Sequence, residues 1–135
     1  MAKTKLPVTS EKNFTDEVLG RALQFGWKRV HFRPARTEGG WRTAVQGDGK
    51  GWPDIVFIHP AKGPGWVFVA EQKQRGGKAT PEQLQWLSDF RAVGISAFPW
   101  DEDDWTQIIA VLRDGPNSHA AGSDKASPIS LRNCH

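Results

Sequence analysis

Asp54, Glu71 and Lys73 are the residues whose types and spacing could do chemistry. Asp54 ends a turn, Gly51-Trp52-Pro53-Asp54, just ahead of an apolar run from Ile55 to Ile58, while Glu71 and Lys73 close a second run that starts at Trp66. In an extended strand successive side chains alternate faces, so Glu71 and Lys73 share one side and Gln72 points to the other. The connection from His59 to Gly65 carries Pro60, Gly63, Pro64 and Gly65, which suits a hairpin loop. Antiparallel pairing of the two runs then sets Asp54 beside Glu71. A bare pair of carboxylates at the ends of otherwise apolar strands is costly to bury. It calls for an open cleft or a cation, and a divalent metal is the simplest resolution. Glu71-Gln72-Lys73 taken alone is equally the pattern of a solvated strand end. Its weight comes from Asp54 opening the neighbouring strand.

The elements that must position these residues can be read along the chain. Residues 1–9 read as a flexible arm, and a helix starts at Ser10 with Phe14, Val18, Ala22 and Phe25 recurring at helical steps until Gly26 ends it. One step back along that stripe lies Glu11, an acid on the inward face that also suits a first-turn position complementing the helix dipole under a Ser10 cap. Glu17 falls off the stripe and is expected in solvent. Trp27 to Phe32 reads as a first strand. Residues 33–51 form a long connection with five glycines (39, 40, 47, 49, 51), a length that points to a functional, substrate-contacting loop. Its Gly47-Asp48-Gly49-Lys50-Gly51 lacks the spacing of a triphosphate-binding loop. Trp41 and Trp52 are available for stacking on bases or for packing.

After Gly76-Gly77, Thr80-Pro81-Glu82-Gln83 has the form of a capped helix start, with Gln83 as capping-box partner. Position 83 also shares a stripe with Leu87 and Phe90. Leu84, Leu87, Phe90 and Val93 are the expected buried side, and Gly94 the stop. Ile95 to Phe98 reads as a fourth strand, and Asp101 as the cap of a last helix that packs Ile108, Ile109, Val111 and Leu112 inward. The acidic run 101–104 then complements that helix's dipole. From Asp114 onward a flexible polar tail is expected. The order helix, strand, strand, strand, helix, strand, helix predicts an α/β domain over 10–113: a mixed four-stranded sheet flanked by helices.

Composition narrows the chemistry. At 135 residues with 38% hydrophobic and 24% charged residues, the chain suits one globular domain. No apolar stretch approaches the roughly 20 residues that span a bilayer, and the Met-Ala-Lys-Thr-Lys-Leu-Pro start lacks a signal peptide's apolar core, so a cytoplasmic protein with no membrane partner is expected. One cysteine, Cys134, and histidines 31, 59, 119 and 135 at no ligand spacing exclude a disulfide framework and argue against zinc. Any metal must sit on oxygen ligands, which suits magnesium or manganese. Net charge is only +3, but six basic residues (Lys28, Arg29, Arg33, Arg36, Arg42, Lys50) stand against Glu38 and Asp48 between positions 28 and 50, and Lys73, Arg75 and Lys78 follow the second apolar run. Basic clusters on both sides of the acids suit a phosphate backbone.

Gly-x-Pro-Asp opening one strand and Glu-x-Lys closing the next resembles the PD-(D/E)XK nuclease superfamily. Gly76-Gly77-Lys78 followed by Gln83-Leu84-Gln85-Trp86-Leu87 resembles its VRR-NUC branch, and the likeness runs from about Ser10 to Leu112. The resemblance implies a restriction-endonuclease-like core and an Mg2+-dependent endonuclease, with Mn2+ able to substitute. Asp54, Glu71 and the Gln72 carbonyl would be ligands, Glu11 a further ligand, Lys73 the group that positions water or stabilises charge on the phosphate, and Gln83 an orienting residue. Gln72 departs from the apolar residue usual between the motif's acid and lysine, which a main-chain ligand tolerates. Arg33, Arg36, Arg42, Lys50, Arg75 and Lys78 are the expected DNA contacts. The resemblance to stand-alone, phage or bacterial members further implies a homodimer acting on branched DNA in the manner of a Holliday-junction resolvase, in a bacterial or phage-infected cytoplasm. Seven tryptophans offer surface for such an interface. A DNA-binding module that keeps the fold without the chemistry is the alternative.

Overall fold

The computed structural model describes residues 11–32, 35–37, 40–42 and 47–116, with the backbone alone for 11, 12, 35–37 and 40–42. Its elements are α1 (Glu11–Gln24), β1 (Lys28–His31), β2 (Ala35–Thr37), β3 (Gly40–Arg42), β4 (Ile55–Ile58), β5 (Val67–Gln72), α2 (Pro81–Ala92), β6 (Ser96–Trp100) and α3 (Trp105–Asp114). Four strands form one mixed sheet in the order β1-β4-β5-β6. The first three are antiparallel neighbours, and β6 runs parallel to β5. A parallel neighbour cannot follow through a tight turn, and α2 supplies the crossover. The architecture is α/β, in the order expected for the sheet-forming strands.

Strand alternation divides the core in two. Phe57 faces Phe68 across β4 and β5, and their rings stack at 4.3 Å. They join Phe14, Val18 and Ala22 of α1 and Ile108, Val111 and Leu112 of α3 in one buried cluster. The intervening pair, Val56 and Val69, belongs to the opposite layer with Leu87, Phe90 and Ala97, against α2. Burying one such side chain contributes about 1.5–3 kcal/mol, so the apolar stripes of α1 and α3 account for where those helices lie. Glu17 is exposed, as its position off the stripe requires.

Several boundaries move. Trp27 precedes β1 and turns into the core, its Nε1 donating to the Leu112 carbonyl at 2.9 Å and so fastening the start of β1 to the end of α3. Part of the 33–51 connection is itself a short antiparallel ladder, with Arg36 opposite Trp41. Asp101 caps a 3-10 turn, Glu102–Asp104, rather than α3; the turn's capping box uses the Asp101 and Asp104 carboxylates. Val93 is 75% exposed instead of buried, because α2 ends at Ala92 and Val93 is its C-cap, past the last inward-facing turn. The tail cannot start at Asp114: that residue closes α3, and Gly115 and Pro116 are buried. Gly115 has φ 98, and a Cβ there would lie 2.9 Å from the Trp66 ring. The expected arm and residues 117–135 lie outside the described residues. Among the described residues no helix is long and apolar enough to cross a membrane.

Candidate functional site

The register Ile55 opposite Ala70 places Asp54, one residue earlier, beside Glu71, one residue later. The pairing is locked from the backbone. Asp54 Oδ2 accepts the N–H of Gln72 at 2.9 Å, and the Asp54 carbonyl accepts the N–H of Phe32 at 2.7 Å. Beyond the last residue of β5, Lys73 is still held, its N–H donating to the Trp100 carbonyl at 2.8 Å. Lys73 and Glu71 therefore share a face as alternation requires, and Lys73 Nζ lies 3.5 Å from Glu71 Oε2.

Glu71 is the electrostatic centre. Its side chain is 2% exposed. Burial, and secondly the neighbouring Asp54 carboxylate, push its carboxyl up to about 8, against the downward pull of Lys73. Gln83 Nε2 donates to Oε2 at 2.6 Å. Glu71 Oε1 is buried without a hydrogen-bond partner. Gln83 makes two sets of contacts. Its Oε1 accepts the N–H of Thr80 at 2.8 Å while its own N–H donates to the Thr80 hydroxyl at 3.1 Å, completing the capping box, and Nε2 remains for Glu71.

These groups fit a small divalent cation. The donors are all oxygen: the Asp54 and Glu71 carboxylates and the main-chain carbonyl of Gln72. The orphaned Glu71 Oε1 is the acceptor such an ion would satisfy. Magnesium is commonly held by one or two carboxylates with water completing its shell. Among the described residues no group of three or more His, Cys, Asp or Glu side chains converges. Glu11, the expected third carboxylate, is the first residue of α1, and its side chain lies outside the described residues. The Gln72 side chain itself is fully buried, with neither amide atom hydrogen-bonded.

The expected DNA contacts divide. Lys78 is exposed. Lys50 Nζ lies 3.5 Å from the Glu82 carboxylate, and Arg75 reaches the acidic turn before α3, at 3.1 Å from Asp103 and 3.6 Å from Glu102. The acidic run thus answers a basic residue as well as capping its own 3-10 turn, and the first turn of α3 holds no acid. Arg36 and Arg42 are in β2 and β3, with side chains outside the described residues, as is all of Arg33.

The sequence gives little sign of a brace between the turn before Asp54 and α2. Trp86 Nε1 donates to the carbonyls of Lys50 at 3.0 Å and Asp48 at 3.2 Å. Trp52 packs its ring 5.0 Å from Trp86, 5.4 Å from Phe90 and 5.9 Å from Phe32. Trp52 is thus engaged in packing, and Trp41's side chain lies outside the described residues. Trp27, Trp66, Trp100 and Trp105 belong to the main core or pack against it. Intrachain packing therefore accounts for every tryptophan whose side chain is described, and tryptophan content no longer argues for an interface. No family model matches this chain, and no curated protein or solved structure matches it.

Proposed function

We propose that the chain is a metal-dependent endonuclease that hydrolyses phosphodiester bonds in DNA, built on a restriction-endonuclease-like core. The observation that carries the reading is the meeting of Asp54, Glu71 and Lys73 at one end of the β4–β5 hairpin, with Glu71 Oε1 buried and unpartnered. A divalent cation bound there would supply positive charge to the scissile phosphate and make the attacking water more acidic. Asp54 and Glu71, with the Gln72 carbonyl, are the holding groups, and Glu11 is proposed as a further one. Lys73, whose side chain is 20% exposed, can reach both the carboxylate and an incoming phosphate. It orients the attacking water or stabilises charge developing on the phosphate oxygens. Gln83 keeps Glu71 in place from α2.

The proposed substrate within this class is branched DNA, cut by a homodimer. One chain carries one such pair of acids, and a two-fold pair of chains would present two to the matched strands of a four-way junction. The test is incubation with linear and branched DNAs in Mg2+ or in chelator. Cleavage confined to the Mg2+ samples supports the enzyme; tight binding without cleavage on every substrate would favour a DNA-binding module.

A further inference from the structure

Asp54 immediately precedes β4 and Glu71 lies on β5, but the surroundings of both are held from one helix. Gln83 and Trp86 are three residues apart on α2 and share a face. Gln83 grips Glu71, and Trp86 grips the turn that leads through buried Pro53 into Asp54. The turn lies flush against the first turn of α2. Gly51 has φ 86, and a Cβ there would come within 2.6 Å of the Glu82 carbonyl carbon. Trp52 packs edge-on against both Trp86 and Phe90. A turn carrying three glycines within Gly47–Gly51 of its own accord samples many backbone conformations. An indole N–H shared by two of its carbonyls selects one of them.

We infer that Trp86 is a positioning residue for the acidic pair: by bridging the Asp48 and Lys50 carbonyls it fixes the turn that delivers Asp54, and so sets the Asp54–Glu71 separation that a cation meets. The inference rests on the metal-site reading above. It makes α2 a calliper, one arm on each acid, and assigns the site its cation selectivity. Magnesium demands near-ideal geometry at about 2.0–2.1 Å, whereas calcium accepts longer and more variable distances. A pair of carboxylates held at fixed separation favours the smaller ion, and a loosened pair loses that preference.

The test is calorimetric titration of the full chain with MgCl2 and, separately, CaCl2, for wild type, Trp86→Phe and Gly51→Ala, with circular dichroism to follow folding. Trp86→Phe keeps an aromatic ring against Trp52 and Phe90 but has no N–H; Gly51→Ala pushes the turn off α2 while leaving the indole intact. Each variant is expected to bind Mg2+ about tenfold more weakly, the lower end of the effect of groups that orient metal ligands, with a smaller loss for Ca2+. If Trp86→Phe does not fold, Gly51→Ala decides. Unchanged Mg2+ affinity in folded variants, or equal loss for both ions, overturns the inference and leaves the metal site standing. A wild-type chain that binds neither ion overturns both.

Discussion

The Gln83 amide meets the Glu71 carboxylate at 2.6 Å while its oxygen takes the Thr80 N–H at 2.8 Å, so one side chain both starts α2 and steadies the buried acid. The two jobs separate by mutation. Thr80→Ala removes the cap hydroxyl and should cost about 1 kcal/mol of stability with Mg2+ affinity retained. Gln83→Ala should cost a similar amount and in addition weaken Mg2+ binding about tenfold. Denaturant melts paired with calorimetry check this; equal Mg2+ affinity in the two variants would separate Gln83 from the site.

Glu71 makes metal binding a function of pH. Its carboxyl lies at about 8 in the folded chain against an ordinary 4.5, so between those values the folded chain holds a proton that the unfolded chain has released. The contribution to stability is full below the unfolded value and is lost as pH rises through the folded one. In chelator the fold should therefore weaken across that window, by up to about 1.4 kcal/mol per pH unit. Mg2+ requires the carboxylate, so its affinity should climb over the same window, by up to about tenfold per unit, and level off above it. Titrations from about pH 5 to about pH 9 measure both trends. A pH-independent Mg2+ affinity would mean that Glu71 is not a ligand.

Much of this arrangement was legible in the sequence, and what was not has a common cause. The stripe Phe14, Val18, Ala22 and the alternation around Glu71-Gln72-Lys73 are local periodicities, and both appear as read. Gln83 was legible as a cap because its partner is three residues away, whereas its contact with Glu71 spans 12 positions and only the resemblance pointed toward it. Trp86 was not, because its partners are main-chain carbonyls 36 and 38 positions distant, and a carbonyl carries no residue signature. Trp27 hides its contact in the same way, 85 positions away at Leu112. The Asp101 cap was right in kind but wrong in target, since a 3-10 turn and an α-helix open with the same residue types.

The basic residues ahead of β4 should set the salt dependence of DNA binding. Neutralising Arg33, Arg36 and Arg42 together should weaken binding and lower the log-log salt slope by about 0.9 for each lost phosphate contact on duplex DNA. Fluorescence anisotropy over a salt series reads the slope. An unchanged slope would place the DNA elsewhere.

Assembly and substrate shape are tested together. A homodimer selective for junctions should scatter light with twice the mass of one chain at micromolar concentration and cut a four-way junction in preference to linear duplex. The mass of one chain with equal cleavage of both substrates would leave a structure-independent nicking enzyme.

The central claim, that the carboxylate pair holds a cation and Lys73 acts beside it, is tested most directly by comparing Lys73→Ala and Glu71→Ala for Mg2+ affinity, DNA affinity and single-turnover cleavage. Glu71→Ala should lose Mg2+ binding and cleavage together. Lys73→Ala should keep Mg2+ and DNA binding yet cleave about 10²- to 10³-fold more slowly, the usual effect of removing one charge-stabilising group. A Lys73→Ala chain that cuts every substrate at the wild-type rate would contradict the mechanism.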